Sequence, residues 1–239
     1  MSRYTEAYSR FLKRLSEVET LLRLARDTSR TLPVLAALPV TGPLCRSGVV
    51  LLCSHVEGFV EDIGKKAIEE ISARSLPKAR LGPRFRYHLS RDIIRKIKDS
   101  TDPADVASGI EQLLARDGHI WDTSINFRSP LLDEIFIGDF VNPTHKRIRK
   151  FFDRFGYSRY ENDLAAQLAA NFMACTNMVD QVVHQRNQIA HGDTTTIGTP
   201  NDLAQMIDLV KMYGRAMDFV VAGWFRAQGC PIRHRVALP

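Results

Sequence analysis

The stretch Asn162–Gly192, NDLAAQLAANFMACTNMVDQVVHQRNQIAHG, decides the fold class. Leu164, Leu168, Phe172, Cys175, Val179, Val182 and Ile189 recur in it at helical spacing, so it predicts one long helix from near Asn162 with these residues as its buried stripe. Gly192 directly after His191 is the residue expected just past a helix end, because glycine enters the left-handed conformation without Cβ strain. Asp193 to Gly198 then reads as a polar loop. Thr199-Pro200-Asn201-Asp202 opens the next helix, with threonine as N-cap and proline at the first helical position, and that helix runs to about Ala227. A third core helix is expected from Cys45 to about Ser72; its first half is apolar nearly all round, which sends it through the centre of a bundle. No segment sustains strand alternation, so the expected fold class is an all-α bundle.

Arg186 falls on the buried stripe of the first of these helices, where an arginine is costly unless a carboxylate meets it or it lines a cleft or a subunit seam. Glu57, embedded in the apolar central helix, is the partner the sequence offers, since pairing relieves both desolvation costs. A second stripe, Asn177, Asp180, His184, Asn187 and His191, carries amides, a carboxylate and imidazoles in place of the lysines and glutamates of an ordinary solvated face. It suits a polar groove; the plainer reading of His184 is a surface histidine. Arg186 and His191 together suffice for RNA cleavage without a metal. An arginine clamps a phosphate through two parallel N–H bonds, and a histidine, titrating near neutrality, moves the proton of a ribose hydroxyl. The competing explanation is a chance Arg-x4-His spacing in an arginine-rich chain with seven histidines.

Arg186-Asn187-x-x-x-His191 opening into Gly192, late in a basic helical chain, resembles the signature of the HEPN superfamily, whose active members are metal-independent RNases. Val49–Asp62, VVLLCSHVEGFVED, resembles the second helix of its stand-alone bacterial branch, the RiboL-PSP-HEPN or MAE-like group, and the likeness covers most of residues 44–225. The resemblance implies a HEPN-like bundle with catalysis on Arg186 and His191 and Asn187 as the polar residue beside the arginine. It also implies two protomers facing each other across the motif, an RNA substrate, an antitoxin or regulatory partner, and a defence or toxin-type role. Some toxin members carry a tyrosine three residues past the histidine; this chain has Thr194, a departure from that branch. The alternative within the same fold is a catalytically silent module that binds RNA, nucleotide or a partner protein.

The remaining sequence is compatible with one domain over residues 1–239. Tyr4, Tyr8, Phe11, Leu12, Leu15, Val18, Leu22 and Ala25 give an amphipathic helix within residues 1–30, and Pro33, Pro39 and Pro43 predict a stiff connector after it. Residues 77–143 read as an insertion between core helices, with a short helix near Ala104–Arg116 and an irregular stretch around Trp121–Asp139, in which Leu131–Ile137 is either a helix turn or a strand. A basic helix from after Thr144 to about Phe155 follows.

Net charge is +6 and the pI about 9.3, which favours an anionic partner. The cations concentrate in Lys78–Lys98 and in His145–Arg154, where Arg84, Arg91, Lys146, Arg149 and Lys150 are candidate RNA contacts; Phe85, Tyr87, Phe151, Phe152 and Phe155 are interleaved with them, as in surfaces that stack bases. The other reading is solvated faces with inward aromatics. The four cysteines lack zinc or redox spacing and fit a reducing cytoplasm; no apolar run approaches bilayer length, and neither membrane attachment, metal nor cofactor is expected. There is no Gly-rich phosphate loop, no His-Glu-x-x-His and no nucleophilic serine motif.

Overall fold

The Thr5 hydroxyl accepts the Tyr8 N–H, satisfying an otherwise orphaned donor, and starts helix α1 (Glu6–Thr31) in the computed structural model, which describes residues 4–127, 131, 133–192 and 199–233. Tyr8, Phe11, Leu15, Val18, Leu22 and Ala25 form its buried face. The connector is shorter than the prolines predict. Helix α2 (Val34–Ala73) starts directly after Pro33 and keeps Pro39 and Pro43 inside it, which corrects both the connector and the expected start at Cys45. These prolines lie four residues apart on an exposed face. The carbonyls that lose their donors, on Leu35 and Pro39, therefore belong to exposed residues that water reaches. Because the helix is continuous, an 18-residue window with mean hydropathy 1.6 makes α2 long and apolar enough to cross a membrane by length and composition, against expectation. Within this fold α2 instead packs on α1 and on the helices later in the chain over Phe172–Ala190 and Pro200–Ala227.

Residues 77–143 are more helical than expected. They hold a 3₁₀ turn (Lys78–Arg80), α3 (Pro83–Leu89), α4 (Arg91–Asp99), α5 (Pro103–Trp121) and α6 (Asp133–Ile137). Leu131–Ile137 is thus resolved as a helix turn over 133–137, with Leu132 outside the described residues. The only pairing of strand type among the described residues is an isolated antiparallel bridge between Pro77 and Asn126. Helices α4 and α5 pack chiefly on each other, with Ile110 and Leu114 exposed on α5.

The basic helix follows as α7 (His145–Arg154), capped by the Thr144 hydroxyl. The long motif helix is broken in two. Helix α8 (Tyr160–Leu168) ends at Ala169, which has φ 49° and ψ −124°, and after one 3₁₀ turn the chain restarts as α9 (Phe172–Ala190). No glycine or proline marks the break. Leu164, Leu168, Cys175, Val179 and Val182 remain buried on both sides of it, so packing, not local propensity, sets the kink. Helix α10 (Pro200–Ala227) matches its expected bounds, with a capping box in which the Thr199 hydroxyl accepts the Asp202 N–H and the Asp202 carboxylate accepts the Thr199 N–H. One continuous hydrophobic cluster joins α1, α2, α7, α8, α9 and α10. Close approach at its centre depends on Gly64, where a Cβ would lie 2.5 Å from the Phe151 ring.

Candidate active site

Gly192 adopts φ 86° and its N–H reaches the Ile189 carbonyl at 3.0 Å, ending α9 with His191 as C-cap. His191 is exposed there, its own N–H on the Asn187 carbonyl at 3.0 Å. Asp193–Gly198, including Thr194, lies outside the described residues.

One turn earlier, Arg186 turns towards α2. Its Nη2 is 3.9 Å from Glu57 Oε2, with side chains 28% and 27% exposed, so the pair is reachable by solvent. Glu57 Oε2 also accepts the Asn142 N–H at 2.9 Å, an interaction that spans 85 residues and leaves the carboxylate fixed before any ligand arrives. The same guanidinium donates towards the Cys53 sulfur; burial pushes the thiol pKa up and the arginine opposes it. Cys53 and Glu57 are four residues apart and thus share a face of α2, which makes a two-point seat for Arg186.

The second stripe is a solvent-facing polar surface. Asn177, Asp180, His184 and His191 are exposed and Asn187 is half-buried. Asp180 accepts the first N–H of α7, from His145, at 2.7 Å, which pins that helix start against the stripe. His145 itself is half-buried, with Nδ1 3.0 Å from the Tyr213 hydroxyl, which lies 3.0 Å from the Tyr160 hydroxyl. Burial lowers the His145 pKa, and the Glu161 and Asp180 charges partly offset this. Asn142 and His145 were missed by sequence reasoning. The sole sequence signal was the Asn142-Pro143 turn dipeptide; the structure places Asn142 at φ 55°, a left-handed conformation asparagine tolerates, with its side-chain Oδ1 buried and without a partner.

The basic segments are organised differently from the surface that interleaved aromatics imply. Phe85, Phe151, Phe152 and Phe155 are fully buried, and of that set only Tyr87 is exposed, which corrects the base-stacking reading. Arg84 is ion-paired with Asp153 and Arg149 with Glu161, while Arg91 meets Asp139 at 2.9 Å. Lys146 and Lys150, one turn apart, are exposed on α7 and have no ion pair among the described residues. Also among the described residues, no group of three or more His, Cys, Asp or Glu side chains is placed to hold a metal ion.

The architecture is a helical bundle whose motif helix delivers an arginine and a histidine to one solvent-reachable end. The sequence profile of the RiboL-PSP-HEPN family matches residues 9–221, and the chain belongs to that family. HEPN families include RNases, and the coarse function of this chain is nuclease-type or RNA-related. No curated protein and no solved structure matches it.

Proposed function

We propose that this chain is a metal-independent endoribonuclease that cleaves RNA by transesterification, in a defence or toxin-type role. The observation that carries the reading is the preset Arg186: a guanidinium at a helix end, oriented by a carboxylate that is itself fixed by a backbone N–H, with an exposed histidine five residues on. A structural arginine would be expected deeper and more fully paired; one held at 3.9 Å and open to solvent retains donors for a phosphate.

In the reaction the ribose 2′-hydroxyl gives up its proton and its oxygen bonds to the adjacent phosphorus. The P–O5′ bond breaks and the 5′-oxygen takes a proton, leaving a 2′,3′-cyclic phosphate and a 5′-hydroxyl. His191 is the acid–base group and Arg186 stabilises the charge on the phosphoryl oxygens. Glu57 and Asn187 support the arginine, and the Asp180–His184 surface borders the strand. A two-fold homodimer that brings two such helix ends together supplies a second histidine, so that one acts as base and the other as acid. An antitoxin or regulatory partner belongs to the same reading, as does a cytoplasmic location.

The test is cleavage of a mixed RNA pool in EDTA. The expected products carry cyclic phosphate and 5′-hydroxyl ends, and DNA of the same sequence stays intact because it lacks the nucleophile. Metal-dependent cutting, or a folded His191→Ala protein that cuts like wild type, refutes the proposal and leaves the silent binding module.

A further inference from the structure

The opposite end of the bundle carries a second surface that the Arg186 site does not use. Helices α8 and α10 border two open cavities of about 530 and 630 Å³ that adjoin at Gln167 and Phe219, which line both; together they make up the α8–α10 groove. Asn171, at the start of α9, lines the first cavity, and Arg186 is fifteen residues further along, about 22 Å at 1.5 Å per residue. The groove is therefore outside the reach of the bond being cut.

Its chemistry is consistent along its length. Phe219 is 53% exposed on a helix whose other aromatic residues, Tyr213 and Phe225, are buried, apart from the half-buried Trp224. The Arg233 guanidinium lies 5.2 Å from the centre of the Phe219 ring, with Nη2 3.4 Å from the buried Asp218 carboxylate. Arg215, exposed one turn before Phe219, makes no ion pair or hydrogen bond with a described residue. Further along, Trp224 is stacked on Tyr157, with ring centroids 5.0 Å apart and planes 14° apart, beside the exposed Arg159. Asp163 is the one carboxylate among the described lining residues, and it is occupied by the Tyr157 hydroxyl at 2.9 Å and by Arg159 at 3.2 Å. The unpaired Arg215 one turn from the exposed Phe219, near the ion-paired Arg233 and Arg159, sets a free cation beside an exposed ring, the pairing that meets phosphate and base in a single strand. A protein partner of apolar character would leave Arg215 desolvated and unpaired.

We propose that the α8–α10 groove binds single-stranded RNA at a point remote from the cleaved bond, anchoring the substrate while the Arg186 end cuts it. The choice of RNA as the polyanion rests on the function proposed above; the binding does not depend on catalysis.

The experiment measures fluorescence anisotropy of a labelled 2′-fluoro 12-mer, an RNA analogue that has no nucleophile and cannot be cut, against the full chain. Arg215→Glu with Phe219→Ala should weaken binding at least about tenfold, through one lost phosphate contact, one like charge and one lost stack. Arg215→Ala alone should reduce the salt slope, d log K/d log [salt], by about 0.7. Cleavage of a fluorogenic dinucleotide, too short to span both sites, should stay within about twofold of wild type, while KM for long RNA rises. Unchanged affinity for the 12-mer in both variants overturns the proposal. So does a change in oligomeric mass with affinity intact, since the groove would then be a protein interface. If no protein cuts RNA but 12-mer binding still depends on Arg215 and Phe219, the nuclease reading fails and the groove stands.

Discussion

The arginines of the two basic segments and the arginine of the motif helix are the same residue used in opposite ways. Arg154 is half-buried against the bundle: it is 2.6 Å from Asp139, it donates to the Phe136 carbonyl, and its guanidinium lies 5.6 Å from the Phe151 ring centre. Arg91 shares the same Asp139 at 2.9 Å. Arg186 has its carboxylate at 3.9 Å and keeps a solvent-facing side. Cation density along the sequence is therefore not a map of free charge, because Arg84 and Arg154 tie the 77–143 insertion to α7 and its flank, Arg91 meets Asp139 inside the insertion and Arg149 meets Glu161. What separates a fastening arginine from a working one is whether its donors are already spent.

Mutations that swap these roles should separate cleanly, and the largest effect belongs to the helix end. His191→Ala should lower RNA cleavage by roughly 10²-fold or more, the usual scale for losing a general acid or base, with the circular dichroism spectrum and melting midpoint unchanged because the side chain is exposed. Arg186→Lys should cost about as much, since an ammonium cannot grip a phosphate with two parallel bonds. If either variant instead unfolds, these residues are fastenings too and the contrast collapses. Glu57→Gln should give a smaller drop, about tenfold, while the fold persists, because the guanidinium loses its orienting charge but keeps Cys53 and the amide.

Arg154→Ala should do the reverse. Removing a guanidinium that is 14% exposed, with its carbonyl and carboxylate partners, should cost about 2 kcal/mol in denaturant midpoint experiments. Activity per folded molecule should be unchanged; a loss of kcat in protein shown to be folded would place that segment in the chemistry.

The neighbourhood of Arg154 also sets a pH dependence. Burial, aided by the Arg154 and Arg91 charges, lowers the His88 pKa to about 4. Its unfolded form titrates near 6.5, so the unfolded chain binds the proton first as the medium acidifies. The stabilisation is fully present above pH 6.5 and is lost as pH falls from 6.5 to about 4. His55 and His145, also lowered by burial, act in the same direction. Thermal melts from pH 7.5 to 4 should show this decline, and His88→Leu should flatten it; an unchanged slope would remove His88 as its source. The smallest effect is expected for Lys146→Ala with Lys150→Ala, which should leave stability within about 0.5 kcal/mol and raise KM for RNA only a few-fold.

Residues whose partners lie close in sequence were legible without the structure. Thr199 as N-cap with Pro200 behind it marked the start of α10, and Gly192 the end of α9, because a helix terminus is satisfied by side chains and turns within a few residues. The desolvation cost of Arg186 on an apolar stripe also pointed to Glu57, since the central helix offered a carboxylate in the right surroundings. The break at Ala169, the helical course of Pro39 and Pro43, and the inward turn of Phe85 and Phe151 were decided by tertiary packing or solvent access, which local propensity does not encode. Asn142 and His145 join the site through bonds spanning 85 and 35 residues, to Glu57 and Asp180. The sequence alone determined which residues need partners and where helices end; tertiary structure chose the distant partners, because such contacts depend on how whole helices pack.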